Sequence, residues 1–177
     1  MSGTSGAGLQ IGGAAVATIR RAGPADAAEL TRLREVMFAS SIPARVADDW
    51  QLDCIRVLAD RLAHERDTFV AVVAEDTERP GRLLACGVAW VDVHLPSPGN
   101  PAGTRGHIAN ISTDPSARRQ GLARAVMEEL LAFFAERRID RVELFATAMG
   151  EGVYRSLGFA DRAHGRAMSW EPVTPDR

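Results

Sequence analysis

The chain is short of the residues that staple or ligate small proteins, with two cysteines, Cys54 and Cys86, among 177 residues. Both lie in apolar stretches without metal-ligand spacing, so they read as buried reduced thiols and no metal is expected. Reduced thiols suit a reducing compartment. No stretch approaches the roughly 20 apolar residues that a membrane helix needs. Met1 to Ala15 lacks a basic region followed by an apolar run, so it does not read as a signal peptide. Rich in Gly, Ser and Ala, it is expected to be a flexible tail, because it has too little apolar surface to offset the entropy of ordering it. An excess of one charge is also missing. The 21 Lys and Arg against 23 Asp and Glu leave a net charge of -2, which gives no general attraction to nucleic acid or to an anionic membrane. Neither partner is expected, and the location expected from these absences is cytoplasmic.

What is present has the proportions of a soluble globular protein, 46% hydrophobic and 25% charged. The length suits one domain, placed at residues 16–173, with 174–177 as a C-terminal end. Val16 to Arg21 predicts a strand stopped by Gly23-Pro24. Proline suits the first turn of a helix, and Leu30, Leu33 and Met37 then recur at helical spacing. A second amphipathic helix follows, with Asp48 or Asp49 as its cap and Trp50, Cys54, Val57 and Leu58 on one face. The period then changes. Phe69 to Ala74 and Leu83 to Val91 are apolar runs separated by a polar turn with Pro80-Gly81, which predicts an antiparallel hairpin covered on both faces. The Pro96 to Pro101 segment is too rich in proline for helix or central strand and reads as a loop. After it come a strand from His107 to Thr113, a turn at Asp114-Pro115, and a helix from about Arg119 to Arg138. Val142, Leu144 and Ala146 alternate as another strand, followed by a short helix around Gly152 to Leu157 and a last hairpin ending near Trp170.

The most informative residues are Arg118-Arg119-Gln120-Gly121-Leu122-Ala123, which join a strand to the start of a long helix. Unpaired backbone N–H groups and the helix dipole favour an anion there. Gly121 removes a side chain that would block close approach, Ala123 is nearly as small, and Arg118, Arg119 and Arg124 surround the position. Taken alone, this is a generic anion site.

The six residues resemble the Arg/Gln-x-x-Gly-x-Gly/Ala signature of the GNAT superfamily of acetyl-CoA-dependent N-acetyltransferases. Asn110 to Pro115 is similar to the strand and turn that precede this loop in the family, and Tyr154-Arg155-Ser156-Leu157-Gly158-Phe159 to its Tyr-x-x-x-Gly-Phe segment. The resemblance covers nearly all of Val16 to Glu171. It departs in two places: Ala123 stands for the second glycine, and Thr147 to Val153 lacks the asparagine often found before the tyrosine. The resemblance implies a mixed α/β fold. Its mostly antiparallel sheet would have about seven strands, flanked by about four helices, with splayed middle strands that admit the pantetheine. It implies acetyl-CoA as co-substrate, with pyrophosphate held by Arg118, Arg119, Gln120, Gly121, Leu122, Ala123 and Arg124. Backbone N–H groups of Ile111, Ser112 and Thr113 would bond the pantetheine and the carbonyl oxygen. A homodimer is a habit of the fold.

Acetyl transfer to an amine needs a base for the amine and a polarised carbonyl, and the departing thiolate benefits from a proton donor. His107 is the first candidate base, eleven residues before Arg118, where several histone-type relatives carry a catalytic glutamate. A free imidazole, with a pKa of ~6.5, is well matched to base catalysis at neutral pH. Asp92 and His94, two apart on the preceding strand, compete for the role, as does a water chain. Tyr154, the single tyrosine of the chain, is the candidate acid, since its family counterpart points a phenol at the coenzyme sulfur. A core tyrosine is the alternative. Trp50 either lines the acceptor cleft or belongs to the core. The acceptor amine, on a small molecule, peptide or protein, would be set by the first two helices and the Leu95 to Gly106 loop. A non-catalytic acyl-CoA sensor of the same fold is the competing function. A P-loop or dinucleotide-binding protein is excluded, because neither Gly-rich fingerprint is present.

Overall fold

The apolar runs and their alternation resolve into one sheet of six strands, in the order β1-β2-β3-β4-β5-β6. The computed structural model describes residues 7–11, 14–41 and 49–162. The chain divides into two compact units, one running to Phe145 and one starting at Ala146.

In the first unit the strands are β1 (Ala7–Ile11), β2 (Ala14–Arg21), β3 (Phe69–Asp76), β4 (Leu83–Val93), β5 (Thr104–Thr113) and β6 (Val142–Leu144). Every pairing is antiparallel except β5 with β6, which is parallel. The helices are α1 (Ala27–Ser41), α2 (Trp50–His64) and α3 (Leu122–Glu136). The mixed sheet agrees with the expected class. Its strands number six among the described residues, where about seven were expected, and the hairpin expected near Trp170 lies outside those residues. The segment expected as a tail contributes a strand: β1 pairs with β2, and Ile11 faces Ala14 across a two-residue connection. Strand pairing satisfies backbone groups whatever the side chains bury, and composition alone does not register it.

Proline at the first position and Asp26, whose carboxylate accepts from Gly23 N–H at 2.8 Å, start the 3₁₀ turn Pro24–Asp26 that leads into α1. Leu30 and Leu33 of α1 are buried, and so are Leu58 and Leu62 of α2. They pack with Phe69, Ala71, Val73, Cys86 and Val88 on one face of the sheet. α3 covers the other face with Val126, Met127, Leu130, Phe133 and Phe134. β3 and the first seven residues of β4 are therefore almost wholly buried, which accounts for their near-continuous apolar sequence.

One irregularity positions the site. Cys86 faces Ser112 and Val88 faces Ala109, so Gly87 alone stands opposite Asn110 and Ile111. This is a β-bulge, and Asn110 takes the left-handed φ of 56° within it. Before the bulge, Gly106 faces α3: a Cβ there would lie 2.5 Å from the Phe134 ring. After it, Ile111 faces α3, meeting the place of a Cβ on Gly87 together with Leu130 and Val126 of that helix. Ala109, Asn110 and Ser112 instead face α1 and α2.

In the second unit, α4 (Glu151–Ser156) ends where Gly158 adopts φ 92°. Gly158 N–H donates to Arg155 O at 3.0 Å and Phe159 N–H to Tyr154 O at 3.1 Å, the paired bonds of a left-handed helix stop.

Candidate active site

β5 runs alongside β6 at only three positions, Gly106 with Val142, His107 with Glu143, and Ile108 with Leu144. From Ala109 to Thr113 no described strand pairs with that edge of β5. The backbone of Ile111, Ser112 and Thr113, expected to meet the pantetheine, lies on this open stretch. Their side chains are otherwise engaged or turned away: Ser112 Oγ–H donates to Leu33 O at 2.7 Å, and Ile111 packs toward α3.

The chain leaves β5 through Asp114, whose carboxylate accepts from Ser116 N–H at 3.2 Å and Ser116 Oγ–H at 2.8 Å. Arg32 Nη1 at 3.1 Å and Arg82 Nη2 at 2.8 Å also donate to it. Burial works against its charge, but the Ser116 bonds and the two guanidinium groups outweigh that and hold the carboxyl below its usual range. After the 3₁₀ turn Pro115–Ala117 come Arg119 at φ 66° and Gly121 at φ 79°. Gly121 is the N-cap of α3 and supplies no side chain to its first turn. Ala125 N–H, reaching Gly121 O at 3.1 Å, is the first donor bonded back into the helix, so the amides of Leu122 and Ala123 have no intrahelical acceptor. The Leu122 side chain is buried in the core, so its amide alone faces the loop. Arg119, Gly121 and Arg124 are exposed, while Arg118, Gln120 and Ala123 are half-buried. Arg118 Nε donates to Thr113 O at 3.3 Å, and Arg124 is paired with Glu128 at 2.9 Å. The donor set fits a diphosphate: bare helix-start amides, two left-handed residues that turn the backbone, and guanidinium groups at the rim.

His107 lies four residues before Ile111. It was expected to begin its strand, but β5 starts at Thr104, because β4 is long enough to pair Val93 with Thr104. His107 is half-buried, its ring 4.4 Å from the Trp90 ring and 5.9 Å from Phe145. Glu143 is its neighbour on β6 and pairs with Arg105 at 3.5 Å, while Arg105 Nε is buried without an acceptor among the described residues. Asp92, the competing base, accepts from Trp90 Nε1 at 2.9 Å. His94 is not on the strand with it. β4 ends at Val93, and His94 is exposed, its N–H donating to Gly103 O at 2.6 Å. Trp90, Glu143 and Phe145 are the residues that the sequence did not flag, because their nearness to His107 comes from register.

A cavity of ≈ 500 Å³ opens between α1, α2 and the sheet. Trp50 lines it, packed edge-on against Phe38 at 5.7 Å. Trp90 lines it from the sheet.

In the second unit, Tyr154 is 8% exposed. Its ring folds back over Gly150, where a Cβ would lie 2.8 Å from the phenol oxygen, and meets Phe159 edge-on at 6.3 Å. Burial raises its pKa, so the phenol keeps its proton at neutral pH.

An interrupted mixed sheet followed by a bare helix start is an acetyltransferase architecture. Residues 29–159 match the family described as Acetyltransferase (GNAT) family, and the chain belongs to it. It is 30% identical to a GCN5-related N-acetyltransferase from Ralstonia eutropha, with a TM-score of 0.71, covering 85% of this chain and 97% of that one. A predicted acetyltransferase from Clostridium acetobutylicum, crystallised with acetyl-CoA, shares the fold at 24% identity, with a TM-score of 0.75, 86% of this chain and 96% of that one. Among curated proteins, a mycothiol acetyltransferase from Mycolicibacterium paratuberculosis is 34% identical over 116 residues, 66% of this chain. The chain spans 34% of the length of that relative.

Proposed function

We propose that the chain transfers the acetyl group of acetyl-CoA to a primary amine of a small molecule, peptide or protein, by direct attack in a ternary complex. The observation that carries this reading is the continuity of the open stretch of β5 with the bare start of α3. Acetyl-CoA, when bound, supplies an acyl thioester. The amides of Gly121, Leu122 and Ala123 and the guanidinium groups of Arg118, Arg119 and Arg124 hold the diphosphate. Backbone N–H groups of Ile111 to Thr113 orient the acyl arm and polarise its carbonyl. His107 takes the amine proton at an imidazole nitrogen, with the Trp90 ring packed at a tilt against it. Tyr154 holds a phenolic proton for the leaving sulfur.

The test is calorimetric titration of acetyl-CoA into Gly121→Glu, with Gly121→Ala as control. Both carry the cost of a left-handed φ on a residue with a Cβ, ~1–2 kcal/mol; only the first puts a carboxylate in the cradle. Loss of binding in the glutamate variant, and near-normal binding in the alanine variant, is expected. Normal affinity in a folded Gly121→Glu would put the diphosphate elsewhere. The absence of an asparagine in Thr147 to Val153 favours a second reading, an acyl-CoA sensor, for which no amine would release CoA.

A further inference from the structure

The cavity between α1, α2 and the sheet has a composition that selects among amines. We infer that it receives an acceptor with an apolar or aromatic body and a free carboxylate, and that Arg34 holds the carboxylate. This rests on the acetyltransferase reading above.

Most of the lining is apolar, including Leu30, Trp50, Leu58, Val88 and Trp90. Two cations line it, Arg34 and Arg61. Arg61 is already neutralised: its Nε donates to Glu65 at 2.9 Å, and its guanidinium lies 4.1 Å above the Phe69 ring. Arg34 is different. It is half-buried, stacked 4.7 Å over the Phe38 ring, and its Nη1 donates to the Asn110 side-chain oxygen. Among the described residues no carboxylate pairs with it. A guanidinium presents five donors and keeps its charge at any physiological pH. Among the described residues, one neutral amide oxygen thus leaves donors and charge unmatched inside an apolar wall, where an anion gains most. The single acid on the lining, Asp53, is mostly exposed and paired with Arg56 at 3.3 Å.

The bulge in β5 supplies the second part of the argument. Strict alternation would send Asn110 to the α3 face with Gly106 and Ile108. The left-handed turn sends it into the cavity instead, where it fixes one nitrogen of Arg34. Trp90 connects cavity and chemistry, since it lines the first and its ring packs at a tilt against His107. An amine seated along Trp90 thus approaches the candidate base while its carboxylate faces Arg34. On the described lining, a polycationic acceptor would meet two guanidinium groups, Arg34 and Arg61, against one acid, Asp53.

The test pairs amines that differ only in the carboxylate, phenylalanine with phenethylamine and leucine with isoamylamine, and adds spermidine. CoA release should favour each carboxylated amine by ~10²-fold or more in kcat/KM, the penalty for leaving a site's polar group unmatched. Arg34→Gln should lower that value at least ~10-fold, mainly through KM, and should erase most of the preference for phenylalanine over phenethylamine. A second readout is the rise in melting temperature caused by phenylalanine and by N-acetylphenylalanine, present in the wild type and lost in Arg34→Gln. Equal rates for the paired amines, or a preference for spermidine, with no thermal shift from either acid, would overturn the inference and leave the acetyltransferase reading intact. A thermal shift that depends on Arg34, with no CoA release from any amine, would uphold the pocket and sink the catalytic reading.

Discussion

Replacing Asp114 with asparagine tests whether charge holds the turn that leads from β5 into α3. The carboxylate is 7% exposed and receives four donors, two from Ser116 and one each from Arg32 and Arg82. Removing one partner of a buried ion pair costs ~3–5 kcal/mol. Here the value is smaller. Both arginine side chains are partly exposed, at 25% and 39%, so solvent screens them. Both also keep Glu29, Arg32 at 2.8 Å and Arg82 at 3.8 Å. Asparagine retains an oxygen for Ser116. The expected loss is therefore about 2 kcal/mol, which for a chain of this size lowers Tm by ~4–8 °C. The loss should depend on pH in one direction. Because the folded carboxyl is held below its usual value, its stabilisation is present in full above the unfolded pKa of ~4 and disappears as pH falls through the folded value. Thermal melts of both proteins from pH 7 downward should show a gap that is full at neutrality and narrows in acid. A gap under ~2 °C at pH 7, or one that widens on acidification, would refute the reasoning.

Two further substitutions divide the chemistry. His107→Ala should lower turnover by ~10²-fold or more, with acetyl-CoA affinity nearly unchanged and the acidic limb of the rate profile displaced; an unmoved limb in steady-state profiles passes the role to Asp92, His94 or water. Tyr154→Phe removes only a hydroxyl, so Tm and acetyl-CoA affinity should stay while most of the turnover is lost; a variant that matches the wild type in CoA release would return Tyr154 to the core.

The elements legible in the sequence were those specified by their own residues. The valine run at Val70 to Val73 and the Pro80-Gly81 turn announce β3 and β4, and the stripe from Leu122 to Phe134 announces α3. Gly158 announces the helix stop that its φ of 92° provides. The helix start at Gly121 was legible for the same reason, since a first turn without a capping side chain is a local property. The neighbours of His107 were not. Trp90 stands beside it because of antiparallel register, and Glu143 because of a three-residue parallel pairing whose partner lies 36 positions away in sequence. The start of β5 was misplaced for a related reason: Thr104-Arg105-Gly106 has no strand pattern of its own and is extended only because β4 continues opposite it. His94 was placed on β4 by extending a period of two past the point where the Gly103 contact ends the strand.

The bulge at Asn110 divides β5 into two half-strands with different surroundings. Upstream of it, Ala109 lines the cavity under α1 and α2; downstream, the backbone of Ile111 to Thr113 lies on the stretch that no described strand pairs. Had the strand been regular, Asn110 and Ser112 would face α3 and Ile111 would face α1 and α2. The left-handed residue reverses that assignment, so one continuous strand offers Asn110 to the cavity and still buries Ile111 against α3.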